Sequence, residues 1–236
     1  CSTPKLNSIE GLSSLTEILG DVGLGGTESL ISLNGFTSLT KVSGSLSIQG
    51  NDGLEDISGL SNLNDVSGYL WVRYNPKLAD LNGFANLSNV NGTITIEDNG
   101  IEQIDGLINL NDILGTLSIL DNGNLLNING LLNLTEFTGR LKISDNDQLL
   151  NIDGLSNLTG INGRIEITDN KSLQNINSLE NLIDINNTLI IEGNDALMDI
   201  NGLSNLANLS GNLWIENNNS LTNIDALLNL EDIIGV

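Results

Sequence analysis

One pattern constrains this chain more than any other feature: G-x-L-x-I-x-x-N-x-x-L-x-x-I-x-G-L-x-N-L-x-x-I-x, repeated from end to end. Its first strand position recurs as Leu46, Leu70, Ile94, Leu117, Leu141, Ile165, Leu189 and Leu213, 24 residues apart at every step except the 23 between Ile94 and Leu117. The shorter unit lacks one residue at Asn99-Gly100-Ile101. A weaker unit begins near Val22, and Leu6 to Leu15 preserve half of another. Repetition at this period is the mark of a coil stack, because no single unit can bury its own apolar face.

Within a unit two periods alternate. Leu46 and Ile48 alternate with Ser45, Ser47 and Gln49, the period of a strand. Leu54, Ile57, Leu60, Leu63 and Val66 then follow at three-residue steps, too tight and too glycine-broken for an ordinary amphipathic helix. Such spacing suits a chain that turns corners while keeping one side inward. Stacking neighbours at about 4.8 Å yields a continuous core and a parallel sheet. The expected fold is therefore a β-rich solenoid, a right-handed stack of about nine 24-residue coils with one long parallel sheet. Residues 1–21 form a partial N-terminal repeat or cap, and 22–236 the tandem repeats. Aromatics are only 3% of the chain, so Leu, Ile and Val must fill the core, joined by Phe36, Phe84 and Phe137 in core columns.

Three further columns carry structural expectations. Asn51, Asn75, Asn99, Asn122, Asn146, Asn170, Asn194 and Asn218 stand where a buried amide would satisfy backbone groups at the bend after each strand. Gly44, Gly68, Gly92, Gly139 and Gly211 precede the strands. Asn187 replaces glycine in that column, which points to a positive φ there. Gly59, Gly83, Gly130 and Gly154 give way to Ser178 and Ala226, so that column needs small size instead.

This pattern, clearest in Gly139 to Leu158 and Gly211 to Leu230, resembles the receptor L-domain group of leucine-rich repeats. The resemblance covers nearly the whole chain. It implies a solenoid that displays a parallel sheet, and a role in binding or adhesion without naming a ligand. Two departures from receptor ectodomains stand out. Their cysteine-bounded caps are missing, and the composition, rich in Asn, Ile, Leu and Asp, looks more like a bacterial surface protein. Capping units are not recognisable at either end, so the chain is expected to be a segment of a longer protein. The single cysteine, Cys1, excludes an intrachain disulfide. It is the candidate lipid anchor of a bacterial outer-membrane lipoprotein, the plainer reading being a segment boundary.

The net charge of -22 sets nucleic acid and anionic bilayers aside as partners. No apolar run reaches the roughly 18 residues of a membrane span. Histidine is absent, which excludes a Ser-His-Asp triad and any histidine metal site. Carboxylate pairs abound but none is distinguished, so the chain is read as a non-enzymatic module. Asp98, Asp121, Asp145 and Asp169 precede the column asparagines and invite a calcium reading. Neither known calcium-loop pattern is present, so solvated turns are the better reading and no cofactor is expected.

Outward strand positions are where recognition would sit. Tyr69, Trp71, Arg73 and Tyr74 form one island, and Arg140, Lys142, Arg164, Ile190 and Trp214 a second. Together they hold both tryptophans, both tyrosines and all three arginines of the chain. Such residues make binding hot spots. The plainer alternatives are aromatic packing and cross-strand pairs, Arg73 with Glu97 and Lys142 with Glu166. Arg140 and Arg164, adjacent like charges, would need Asp145 and Asp169 or a partner to offset them. The expected function is a cell-surface or secreted module binding protein or polysaccharide on the outward sheet face. The alternative is a structural spacer in a larger surface assembly.

Overall fold

A computed structural model describes residues 3–235, so Cys1 lies outside the described residues, as does the side chain of Phe137. The chain is a solenoid of stacked coils. Nine strands run in sequence order through one parallel sheet, from Val22–Gly25 through Leu46–Gln49, Leu70–Asn75, Ile94–Asn99, Leu117–Leu120, Leu141–Ser144, Ile165–Thr168 and Leu189–Glu192 to Leu213–Glu216. Register is constant: Leu46 faces Leu70, Leu70 faces Ile94, and Ile190 faces Trp214. The weak unit at Val22 is thus a full member of the sheet.

The three-residue spacing now has its physical cause. After each strand the backbone closes i→i+3 hydrogen bonds, as from Leu54 to Asn51, Leu60 to Ile57 and Leu63 to Leu60. Short 3₁₀ turns such as Ser58–Leu60 and Asp153–Leu155 sit among them. Three residues per turn place every third side chain on the same side. Leu54, Ile57, Leu60, Leu63 and Val66 accordingly all point into one core and are essentially inaccessible. Phe36 and Phe84 join that core. The N-terminal fragment contributes a 3₁₀ turn, Glu10–Leu12, and buries Ile9 against it.

The single long sheet is not the only one. Two-residue strands such as Asp65–Val66 and Asp184–Ile185 stack into two further five-stranded parallel sheets. They end the three-residue run and lead into the glycine before the next long strand.

The asparagine column is a buried ladder. Asn146 donates from Nδ2 to the carbonyls of Ile119 (3.0 Å) and Ser144 (2.9 Å) and to Asn170 Oδ1 (3.2 Å). Its own Oδ1 accepts the backbone N–H of Asn122 at 3.2 Å. The pattern repeats coil by coil and starts at Thr27, whose hydroxyl donates to Asn51 Oδ1 at 2.7 Å. It passes undisturbed through the 23-residue unit, where Asn99 N–H still donates to Asn122 Oδ1 at 3.2 Å. A second, exposed ladder uses the asparagine of the G-L-x-N-L segment. Asn86, Asn133 and Asn157 donate to the carbonyls of Ser61, Ile108 and Leu132, each at 2.7 Å.

One expectation about the backbone is corrected. The left-handed conformation does not lie at the glycines before the strands. It lies immediately before the ladder residue, Thr27 or an asparagine, at Gly26, Gly50, Tyr74, Asp98, Asp121, Asp145, Asp169, Gly193 and Asn217, with φ between 50° and 68°. The glycines before the strands are required by close approach instead. A Cβ on Gly139 would lie 1.8 Å from the carbonyl oxygen of Gly115. The other glycine column is governed by space, as expected. A Cβ on Gly130 would lie 1.9 Å from Ile104 O. Ser178 occupies this column by donating its hydroxyl to Ile152 O at 2.9 Å.

Candidate recognition face

Outward side chains of the nine-stranded sheet form three columns, and the two islands lie on this face. In the first island the strand Leu70–Asn75 builds a continuous stack. Tyr69 and Trp71 lie ring on ring, centroids 4.0 Å apart at 23°. The Arg73 guanidinium covers the other side of Trp71 at 4.4 Å and approaches Tyr74 at 5.7 Å. Arg73 also donates to Gln49 Oε1 at 2.9 Å and pairs with Glu97 at 3.6 Å, the cross-strand pair expected from register. Tyr74 donates its hydroxyl to Glu97 at 3.1 Å. That bond and the Glu97 charge raise the phenol pKa above its ordinary value. Both faces of the Trp71 ring are therefore occupied within the chain itself. The island presents edges and hydroxyls, not an open aromatic face.

The second island is arranged differently. Glu166, though on the outward side, is only 4% exposed. Arg140 Nη2 donates to one of its oxygens, and Arg164 Nε pairs with the other by charge without a hydrogen bond. This corrects two expectations: the like charges of Arg140 and Arg164 are offset by Glu166, not by Asp145 and Asp169. Lys142, expected to pair with Glu166, joins no ion pair among the described residues although the two are in register. Arg140 reaches diagonally from the neighbouring strand and Arg164 along Glu166's own strand, and together they claim the carboxylate that a directly facing lysine would have used. Both arginine side chains stay more than two-fifths exposed. Beyond them Ile190 is nearly buried, while Trp214, its register partner, is 49% exposed. No aromatic or cationic group covers the Trp214 ring among the described residues.

The structure thus brings together Arg140, Lys142, Arg164, Ile190 and Trp214 on four adjacent strands, and keeps Tyr69, Trp71, Arg73 and Tyr74 as a separate, self-satisfied cluster. Sequence reasoning missed the part Glu166 plays as the clamp between two arginines. Its only signal was an acidic residue amid three cations. It also missed a concavity at the edge of the sheet, lined by Gly23, Gly25, Ser47, Gln49 and Tyr74. The glycines at outward positions were the available sign.

The acidic turns have a backbone explanation. Asp98, Asp121, Asp145 and Asp169 all hold the left-handed conformation, which Asp tolerates better than most side chains. Among the described residues no group of three or more His, Cys, Asp or Glu side chains is arranged to hold a metal ion. Stacked one coil apart, these carboxylates repel. Partial burial and then Asp145 raise the pKa of Asp121, and the same two causes act on Asp169. A carboxyl whose folded pKa is raised binds its proton more readily in the folded state. Stability then increases as pH falls from neutrality through the folded pKa, and the effect saturates below the unfolded value. Asp121→Asn, which keeps the left-handed turn, is expected to raise Tm at pH 7.5 by roughly 1–2 °C. The gain should disappear at pH 3.5 in parallel calorimetric scans.

The receptor L domain family model matches residues 40–154. No curated protein sequence matches the chain. Among solved structures, the leucine-rich repeat domain of the type III effector XopL is 15% identical, with a TM-score of 0.44, covering 91% of this chain and 75% of that one. A leucine-rich repeat protein of Leptospira interrogans is 16% identical, with a TM-score of 0.30, covering 92% of this chain and 88% of that one. Among the described residues no helix is long and apolar enough to cross a membrane.

Proposed function

We propose that this leucine-rich-repeat solenoid, whose residues 40–154 belong to the receptor L domain family, recognises a partner through the outward face of its long sheet. Receptor L domains are protein-binding modules that typically lack catalysis. One observation carries the finer reading: in a chain of net charge -22, three cations and a half-exposed tryptophan converge on four adjacent strands. Arg and Trp are the residues whose loss most often costs binding energy, because each offers a large contact area with a polar or cationic handle. The face is extended over nine strands, which suits a protein or a polymer better than a small molecule. The setting proposed with it is extracellular or at the cell surface.

The test is a binding panel of purified polysaccharides and surface-protein extracts, read with the parent, Trp214→Ala and Trp71→Ala. Trp214→Ala is expected to weaken binding at least tenfold, about 1.4 kcal/mol or more, with the fold intact by circular dichroism. Trp71→Ala, removing a ring packed on both sides, is expected to lower Tm more than it lowers affinity. Binding that ignores Trp214 refutes recognition at this island. Absence of binding by the folded parent shifts the reading to a spacer, whose function would track the number of coils.

A further inference from the structure

We infer that the edge of the long sheet at Val22–Gly25 takes an extended partner peptide, neutral or basic and apolar at alternate positions, as a further parallel strand. This goes beyond the recognition reading above and concerns a different part of the molecule.

The backbone comes first. Among the described residues Val22–Gly25 pairs on one side only, with Leu46–Gln49. Val22 N–H donates to Ser45 O at 2.8 Å and Gly26 N–H to Gln49 O at 3.2 Å. In a parallel ladder alternate residues bond to opposite sides. The N–H and C=O groups of Gly23 and Gly25 therefore point away from the sheet, where a concavity of about 650 Å³ lies against both glycines, Thr3 and Leu6. Ser47, on its wall, adds a hydroxyl that is buried and has no hydrogen-bond partner. Exposed edges are ordinarily guarded by charge or proline. Val-Gly-Leu-Gly carries neither.

The coil beside this edge limits what can pair with it. Leu6 N–H donates to Thr3 O at 2.9 Å, as Leu54 N–H does to Asn51 O at 3.1 Å. The 3₁₀ turn Glu10–Leu12 and the short strand Glu17–Ile18, paired with Lys41–Val42, form the corners of the same coil. A second copy of this chain would bring whole coils, whose turns would collide with Thr3–Ile18. An isolated extended segment meets no such obstacle. Its inward side chains would cover Leu6, Val22 and Leu24, which pack on the core but stay partly exposed, so every second residue should be apolar. Asp21 and Glu28 flank the strand on a chain of net charge -22, which disfavours an acidic segment.

The probe is a fluorescein-labelled, amidated peptide, Ser-Val-Lys-Leu-Ser, titrated against the purified chain by anisotropy. In the register of the sheet an inward residue donates its N–H to the next coil, as Val22 does. N-methylation of the peptide's Val or Leu should therefore weaken binding at least tenfold, and N-methylation of its Lys should not. Replacing that Lys by Glu should weaken it several-fold at low salt. Gly23→Pro removes an N–H that bonds nothing among the described residues, a substitution edge strands tolerate, and should also weaken binding at least tenfold. Amide exchange followed by NMR should show Gly23 slowed only in the complex. Absence of binding by the folded parent, equal binding of Ser-Val-Leu-Lys-Ser, or indifference to Gly23→Pro or to the methylated position would overturn the inference. So would a slow Gly23 amide before any peptide is added, since the chain's own flanking residues would then hold the edge. Trp214→Ala should bind the peptide as the parent does. A loss there would place the peptide on the second island and refute the edge site, whereas failure of the recognition reading leaves every one of these outcomes untouched.

Discussion

Asn146→Ala is expected to cost about 2–5 kcal/mol and to divide the unfolding of the solenoid into two steps. The amide it removes donates to the buried carbonyls of Ile119 and Ser144 and accepts the N–H of Asn122. The Asn122 N–H would be left unpaired in a site from which water is excluded, at about 1–3 kcal/mol, and each carbonyl would lose one bond, Ser144 O keeping the N–H of Asp121 at 3.1 Å. Relaxation reduces the sum but cannot supply new partners inside a packed core. Since each coil contacts only its neighbours, damage at one interface uncouples the two sides. Trp71 and Trp214 lie on opposite sides of Asn146. Urea melts of the Trp71→Phe and Trp214→Phe backgrounds, followed by fluorescence, would therefore report the halves separately. Coincident transitions at the parental midpoint would refute the ladder as the source of cohesion. Asn146→Asp should be no milder, since it keeps the shape but loses every donor and adds a buried charge.

The second large effect concerns packing between coils. Gly130→Val is expected to cost about 3 kcal/mol or more, because its Cβ would meet Ile104 O at 1.9 Å and branched carbons leave the coils no route except separation. Gly130→Ser brings the same Cβ against that carbonyl but should lose less than valine, having no branched methyls and a hydroxyl that can donate to it. Ser178 shows how: in the same column its hydroxyl donates to the carbonyl it would otherwise crowd. Chemical denaturation of the two variants side by side checks the order. Equal losses would mean that the column is not governed by approach to the carbonyl.

Why the architecture was legible follows from what repeats. Leu46, Leu60 and their equivalents occupy core columns in which every coil faces the same demand, so the same residue types return and the period is visible. The ladder asparagines were legible for the same reason, since an amide alone supplies both donors and an acceptor in that space. The left-handed column was not. Its occupants are glycine, tyrosine, aspartate and asparagine, related by tolerance of positive φ and by nothing in polarity or size. Aspartates there read as solvated turn residues, with nothing in the sequence to mark the backbone conformation they share. The short strands such as Asp65–Val66 were missed because two residues hold no period.

The recognition face was legible in part. Which residues point outward follows from alternation, and the scarcity of Trp, Tyr and Arg directed attention to the right ones. Which of them pair with each other did not follow. Register places Lys142 opposite Glu166, yet the reach of Arg140 and Arg164 decides where that carboxylate goes. Likewise, nothing in the order Tyr69, Trp71, Arg73, Tyr74 says that their rings and guanidinium stack into a closed set.

The uniformity of the coils has a mechanical side. Held at its two ends and pulled, a stack in which each unit is bound only to the next yields by peeling from an end. Every coil released pays out its whole backbone, about 80 Å for 24 residues at about 3.4 Å each, in place of the roughly 4.8 Å it occupied along the axis. Because the same amide ladder joins successive coils, the yield force is nearly level from one to the next. A protein of this build under tension behaves as a reel that gives line at constant load, and re-forms its turns against the intact remainder once the load is gone.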